Sequence, residues 1–237
     1  MSELLDLIRE RHSTRLPFDP KRRVALEDIR QILEAGRWAP TAHNMQNFEI
    51  VVVDDPGLIE AIGKTQRPVS PIFIRENYAQ LSFSEEELLR RKTGLLATMF
   101  PPAWRNPDYR PEPGSPSEEP RPFPGTAAML VALYDPARPA PISEGDFLGI
   151  LSLGCVLENM WLMAVSLGIG FHVMSVFAGG ETAADVRGLL GIPEKWRIAF
   201  TVRLGYPAVP PGRYLRVRRE LEDFCYHNRF GNRGLAR

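Results

Sequence analysis

Phe147-Leu-Gly-Ile-Leu-Ser152-Leu-Gly-Cys-Val-Leu-Glu158-Asn159-Met-Trp-Leu-Met-Ala-Val-Ser166-Leu-Gly168-Ile169 is the longest apolar run in the chain. Its length alone would span a bilayer, but Glu158 and Asn159 sit at its middle, flanked by Ser152 and Ser166, and such groups are costly in hydrocarbon. The run therefore reads as a buried helix of a soluble protein with no membrane partner. Ser143 and Asp146 resemble an N-cap and its return partner, and Gly168 and Gly170 close the helix. Working outward, Phe171 to Val176 reads as a strand. Thr182 and Asp185 repeat the capping pattern for a short helix ending at Gly191-Ile192-Pro193, and Arg197 to Leu204 alternates as a strand before Gly205-Tyr206-Pro207.

Toward the N-terminus, Ala127 to Tyr134 is strand-like, and Phe48-Glu-Ile-Val-Val-Val53 is β-branched and ends at Asp54-Asp55-Pro56-Gly57, a helix start with Pro56 in its first turn. Leu4, Leu5 and Ile8 share one face of an opening helix from Ser2 to Glu10. Ile29, Ile32 and Leu33 do the same for a helix from Leu26 to Gly36. Ser84 to Glu87 matches a capping box, starting a helix through Leu88, Leu89, Leu95 and Leu96. Between Pro101 and Gly125 there are nine prolines in 25 residues. Proline removes backbone donors and fixes φ, so this segment reads as a long loop, a lid or partner-wrapping arm, inside one domain.

The 237 residues carry 29 Lys plus Arg against 29 Asp plus Glu, and 44% are apolar. That is a globular composition with no whole-chain charge to attract nucleic acid. Cys155 and Cys225 are too few for a disulfide framework or a thiolate cluster, which fits a reducing cytoplasm. Met1-Ser2-Glu3 does not begin an export signal. The four histidines lack metal-ligand spacing, so no metal is expected. Walker, G-x-G-x-x-G, G-x-S-x-G and H-E-x-x-H signatures are absent, and nothing in the chain points to hydrolysis.

Arginine dominates the cations, and residues 203 to 237 hold eight Arg against three acids. Its planar fork suits oxyanions. Arg11-His12-Ser13-Thr14-Arg15, directly after an amphipathic helix, places two guanidinium groups and a hydroxyl within five residues, a set able to chelate a phosphate or the polar edge of a heterocycle. A basic, non-enzymatic module binding nucleic acid or another anion is the rival reading, supported by the arginine-rich C-terminus.

Four ordered motifs resemble the nitroreductase family of FMN-dependent oxidoreductases. They are Arg11-His12-Ser13-Thr14-Arg15; Trp38-Ala39-Pro40-Thr41-Ala42-His43-Asn44-Met45-Gln46-Asn47-Phe48; Gly154 through Asn159-Met160, Ala164 and Leu167-Gly168-Ile169-Gly170; and Leu190 to Glu194 with Leu204 to Pro207. The resemblance covers the chain apart from roughly residues 66 to 125, the proline-rich lid or insertion. It implies an α+β fold, a central mostly antiparallel sheet flanked by helices, with the long buried helix at a dimer interface.

By the same resemblance the cofactor is FMN and the electron donor NADH or NADPH. Hydride passes by a ping-pong cycle to a nitroaromatic, quinone or similar small acceptor. Reductive dehalogenation and flavin fragmentation occur on the same fold and remain alternatives. Arg11, His12, Ser13 and Arg15 would bind the flavin, Arg11 toward the phosphate and Arg15, the candidate catalytic residue, near the pyrimidine edge. Arg216 and Arg218 would complete the phosphate site, Met174 and Ser175 would face the isoalloxazine with their backbone, and Pro40, Thr41, Ala42 and Asn44 would reach across from the second subunit of a homodimer. Thr41 stands where the family has Ser, and Asn47-Phe48 where it has Pro-Trp, so the substrate-side wall departs from the pattern.

Overall fold

The computed structural model describes residues 3–15, 17–67, 83–93, 123–209 and 217–234. The chain forms two compact units, one from residues 1–67 and 120–211, the other from 68–119 and 212–237.

The first unit is built on four antiparallel strands in the order β1-β2-β4-β3. These are β1 (Glu49–Val53), β2 (Ala128–Tyr134), β3 (Gly170–Met174) and β4 (Arg197–Gly205). β2 has neighbours on both edges and is buried along almost its whole length, so its apolar run faces helices on both sides. Each fully buried Leu or Val there contributes roughly 1.5–3 kcal/mol of transfer free energy.

One sheet face, carrying Ala128, Leu130, Phe200, Val202 and Leu204, packs on α2 (Leu26–Arg37) and α5 (Phe147–Ser166). Gly36 lets these two helices approach, because a Cβ there would lie 2.9 Å from Met160 Cγ. The opposite face, with Met129, Val131, Leu133 and Ile198, packs on α3 (Pro56–Lys64) and α6 (Gly180–Leu190). α3 starts as its sequence predicts, with the Asp55 carboxylate accepting the Leu58 N–H at 2.8 Å and Pro56 in the first turn. α1 (Glu3–Glu10) lies on α5 and buries none of its own residues in this chain.

Two local expectations are corrected. Thr182 does not cap α6, which starts at Gly180 behind Gly179; Thr182 is buried, with its hydroxyl donating to Thr65 O at 3.3 Å, while Asp185 pairs with Arg67 at 2.7 Å. Asp146 makes no side-chain cap on α5, because its carboxylate accepts the Tyr134 hydroxyl at 3.2 Å; Ser143 Oγ instead accepts the Leu148 N–H at 3.3 Å. Within this chain α5 buries Leu153, Val156, Met160 and Ala164, and leaves Phe147, Ile150 and Leu151 exposed.

In the second unit, α4 (Glu85–Arg90) begins as expected, with Ser84 Oγ accepting the Glu87 N–H at 3.1 Å. It ends at Arg90, short of the predicted length, because Lys92 turns to φ 52°. Leu95 and Leu96 lie outside the described residues, as does the proline-rich segment apart from residues 123–125. Lys92 pairs with Asp223, which also accepts the Glu220 N–H at 2.9 Å in the turn Leu221–Asp223.

Candidate functional site

The segment following α1 is laid across one end of β3. The Thr14 N–H donates to Phe171 O at 2.9 Å, and Phe18 bridges to Pro207 and donates its N–H to Pro124 O at 3.2 Å. Phe18 lies so close to the sheet that a Cβ on Gly170 would fall 2.6 Å from its ring, and one on Gly205 would fall 2.5 Å from it. The two strand-end glycines therefore admit the ring, and the ring fixes the register of Arg11 to Arg15 on the sheet. Thr14 is buried; Arg11, His12, Ser13 and Arg15 are part-exposed beside it.

Arg11 is held from α5. Its Nε lies 3.2 Å from Glu158 Oε1 and its guanidinium sits 4.3 Å over the Trp161 ring. The Trp161 indole N–H donates to His12 O at 3.2 Å, and the same ring stacks on Phe171 at 5.2 Å. Glu158 and Trp161 were not among the predicted site residues. The one signal was Glu158 itself, a carboxylate inside an apolar run, which carries only the information that the helix is not lipid-facing.

Met174, the last residue of β3, is buried, and its carbonyl accepts the Thr201 hydroxyl at 2.9 Å; Ser175, the next residue, is exposed. Two residues before Met174, His172 faces Arg203 across the β3–β4 ladder. Burial, then the positive charges of Arg203 and Arg15, push the His172 imidazole down to about 3, so it is neutral near pH 7. The segment Arg11 to Arg15 thus lies beside the start of β3, with Arg15 close enough to act on His172, while Met174 and Ser175 stand at the other end of the strand.

Pro40, Thr41, Ala42 and Asn44 form a separate projection of the same unit. Within it His43, Asn44 and Gln46 adopt φ of 51°, 51° and 47° around a right-handed Met45, values that non-glycine residues rarely hold. The strain is held by local bonds: Gln46 N–H to Thr41 Oγ1 at 3.1 Å, Gln46 Nε2 to Asn44 Oδ1 at 3.2 Å, and Ala42 N–H to Ser152 Oγ of α5 at 2.9 Å. Asn47, the departure from the family pattern, donates to Asp135 O at 2.9 Å and Arg138 O at 3.1 Å, clamping the projection to the end of β2. Ser152, which holds the projection, and Glu158, which holds Arg11, are six residues apart on α5, about 9 Å of helix rise.

Arg218 belongs to the second unit, where it is exposed and donates to Val217 O at 2.9 Å. Arg216 lies outside the described residues. A cavity of about 650 Å³ between α2, α3 and residues 123–127, with Arg22, Arg23, Ile59 and Phe123 in its wall, contains none of the predicted site residues.

Residues 8–206 match the profile of the nitroreductase family, a span that includes the pinned Arg11–Arg15 segment, the strained projection and the whole sheet. The chain belongs to the nitroreductase family. An Archaeoglobus fulgidus family relative, provisionally named an NADH dehydrogenase/NAD(P)H nitroreductase, is 26% identical over 208 residues, 87% of each chain. The CLA biosynthesis enone reductase of Lactiplantibacillus plantarum is 24% identical over 211 residues, covering 89% of this chain and 88% of that one. Among solved structures, a nitroreductase with bound FMN from Bacteroides fragilis superposes with a TM-score of 0.54 over 91% of this chain and 96% of that chain, at 20% identity. The nitroreductase fold is thus common to chains that differ at four positions in five.

Proposed function

We propose that this nitroreductase-family protein is an FMN-dependent oxidoreductase that takes hydride from NADH or NADPH and passes it to a nitroaromatic, quinone or similar small acceptor by a ping-pong cycle. The observation that carries the reading is the delivery of Arg11 and Arg15, with the Ser13 hydroxyl between them, to one end of β3 by a segment pinned through Thr14 and Phe18. The donor set fits the cofactor: two guanidinium groups and a hydroxyl match a phosphate and the electron-accepting pyrimidine edge of a flavin. FMN, when bound, supplies hydride acceptance at its ring and hydride donation to the second substrate.

The chain's own residues bind and orient. Arg11, with its Nε on Glu158 and its face on Trp161, is directed toward the phosphate, and His12 and Ser13 line the same segment. Arg15 serves the pyrimidine edge, where a fixed cation stabilises negative charge as it develops. Met174 and Ser175 offer backbone groups to the ring, and Arg216 and Arg218 add to the phosphate site.

Pro40, Thr41, Ala42 and Asn44 close the pocket from a second copy. Support for that copy comes from the apolar surface this chain leaves open: Leu4 and Ile8 of α1 are 59% and 42% exposed, and Phe147, Ile150 and Leu151 of α5 are 66%, 52% and 57% exposed. Those five side chains form the kind of patch that a homodimer interface covers. The two free cysteines suit a cytoplasmic enzyme.

An activated carbon–carbon double bond is the second acceptor class, favoured by the enone reductase relative that aligns over most of both chains. The test is the absorbance spectrum of the purified protein, followed by NADH and NADPH oxidation with a nitroarene, a quinone and an enone in turn. A yellow protein with parallel double-reciprocal lines supports the cycle. A colourless protein that takes up no added FMN overturns it.

A further inference from the structure

Arg203 stands in the middle of the sheet and is only 4% exposed. On β4 it faces Met129 of β2 on one side and His172 of β3 on the other. Its Nε donates to Thr126 Oγ1 at 3.0 Å, and its guanidinium lies 4.7 Å from the Phe18 ring centre and 5.1 Å from that of Phe123. Its Nη2 has no hydrogen-bond partner, and no carboxylate among the described residues pairs with it. Burial alone lowers the Arg203 guanidinium to about 10, so it remains charged at neutral pH.

An unpaired charge in a protein interior is costly, and two aromatic faces offset only part of that cost. A methionine or leucine would pack the same place without it. The strand neighbour is also telling: His172 is uncharged at neutral pH and adds no positive charge beside Arg203, and Arg15 is a second positive group whose field reaches it. The row from Arg203 through His172 thus runs toward the segment that carries Arg15.

Resting on the FMN reading above, we propose that Arg203 is a positioning residue of the redox site: a fixed positive charge buried in the sheet, behind Arg15, that favours the reduced flavin over the oxidised flavin without touching either. Hydride brings two electrons and one proton to the ring, so reduction leaves one added negative charge there and the nicotinamide leaves as its cation. Arg203 neither gives nor takes a proton. At an effective dielectric of about 20, a unit charge within about 10 Å of the ring would shift such an equilibrium by about tenfold or more.

The experiment measures the two-electron midpoint potential of FMN bound to the full chain, by equilibration with a reference dye, and the Kd of oxidised FMN. Arg203→Met removes the charge and keeps much of the volume between the two rings. Thr126→Asp keeps Arg203 but sets a carboxylate at its Nε. Both variants are expected to bind oxidised FMN within threefold of the parent and to lower the potential by about 30 mV, the equivalent of a tenfold smaller preference for the reduced form. Arg203→Lys is expected to retain the parent potential. If Arg203→Met does not fold, Thr126→Asp decides alone. An FMN-loaded parent whose variants keep its potential overturns the role of Arg203 and leaves the flavin reading standing; a parent that takes up no FMN overturns both.

Discussion

Arg11 Nε sits 3.2 Å from Glu158 Oε1, and the same guanidinium rests 4.3 Å over Trp161, so one helix of the core holds the first arginine of the loop motif by charge and by ring. The two contacts differ in energy. The Glu158 side chain is 44% exposed, and a solvent-screened pair of this kind contributes roughly 0–1 kcal/mol. Trp161 also stacks on Phe171 and bonds His12 O. Glu158→Gln should therefore change unfolding free energy by under about 1 kcal/mol, and Trp161→Ala should cost about 3–5 kcal/mol. Urea titrations of the two variants, followed by circular dichroism, check the order; equal effects would refute it.

Arg15→Ala should weaken FMN binding by about 10- to 100-fold, the loss of a charge-assisted hydrogen bond of roughly 1.5–3 kcal/mol, and should slow flavin reduction by NAD(P)H. Equilibrium dialysis and stopped-flow absorbance read the two effects. Unchanged flavin content together with unchanged kinetics would remove Arg15 from the site.

Under the proposed function Arg218 serves the phosphate, so Arg218→Ala should lose more affinity for FMN than for riboflavin, which has the same ring and no phosphate. Titrating the apoprotein with each flavin measures the ratio. Equal losses would move Arg218 elsewhere.

His172 titrates about 3 in the folded chain against an unfolded value near 6.5. The folded state therefore binds fewer protons than the unfolded one between those values, and stability falls as the pH is lowered through that window and is whole above it. The loss from this residue should be about 2 kcal/mol between pH 7.5 and pH 5. Thermal or urea unfolding across that range should show a shallower acid slope for His172→Gln than for the parent. Identical slopes would show that the imidazole is already free to protonate.

Gly170→Ala places a Cβ 2.6 Å from the Phe18 ring, 2.8 Å from Gly205 O and 3.0 Å from Thr14 Cγ2. Backbone on one side and a packed ring on the other leave little room to yield, so the substitution should cost about 1–3 kcal/mol. Because Phe18 and Thr14 pin the arginine segment, FMN affinity should fall with it. A variant with parental stability and parental FMN affinity would show that the segment's register does not depend on this contact.

Local chemistry was legible from the chain alone wherever a short run of residues sufficed. Asp55-Pro56 starts a helix because a carboxylate and a pre-set φ act within one turn, and Ala127 to Tyr134 is a strand because its apolar run suits a sheet centre covered on both faces. Thr182 misled for the same reason: its spacing to Asp185 is that of a cap, but Thr65 O lies within its reach only after α6 packs on α3. The arginine motif was also legible, since residue type and spacing along a few residues are what an oxyanion requires. What holds it was not. Glu158 lies far along the chain from Arg11, Phe18 meets Gly170 and Gly205 only at the sheet's end, and Arg203 meets His172 only through the β3–β4 register. Pairings between distant segments are decided by how apolar faces bury one another, and that is settled by the packed sheet and helices rather than by any stretch of residues read alone.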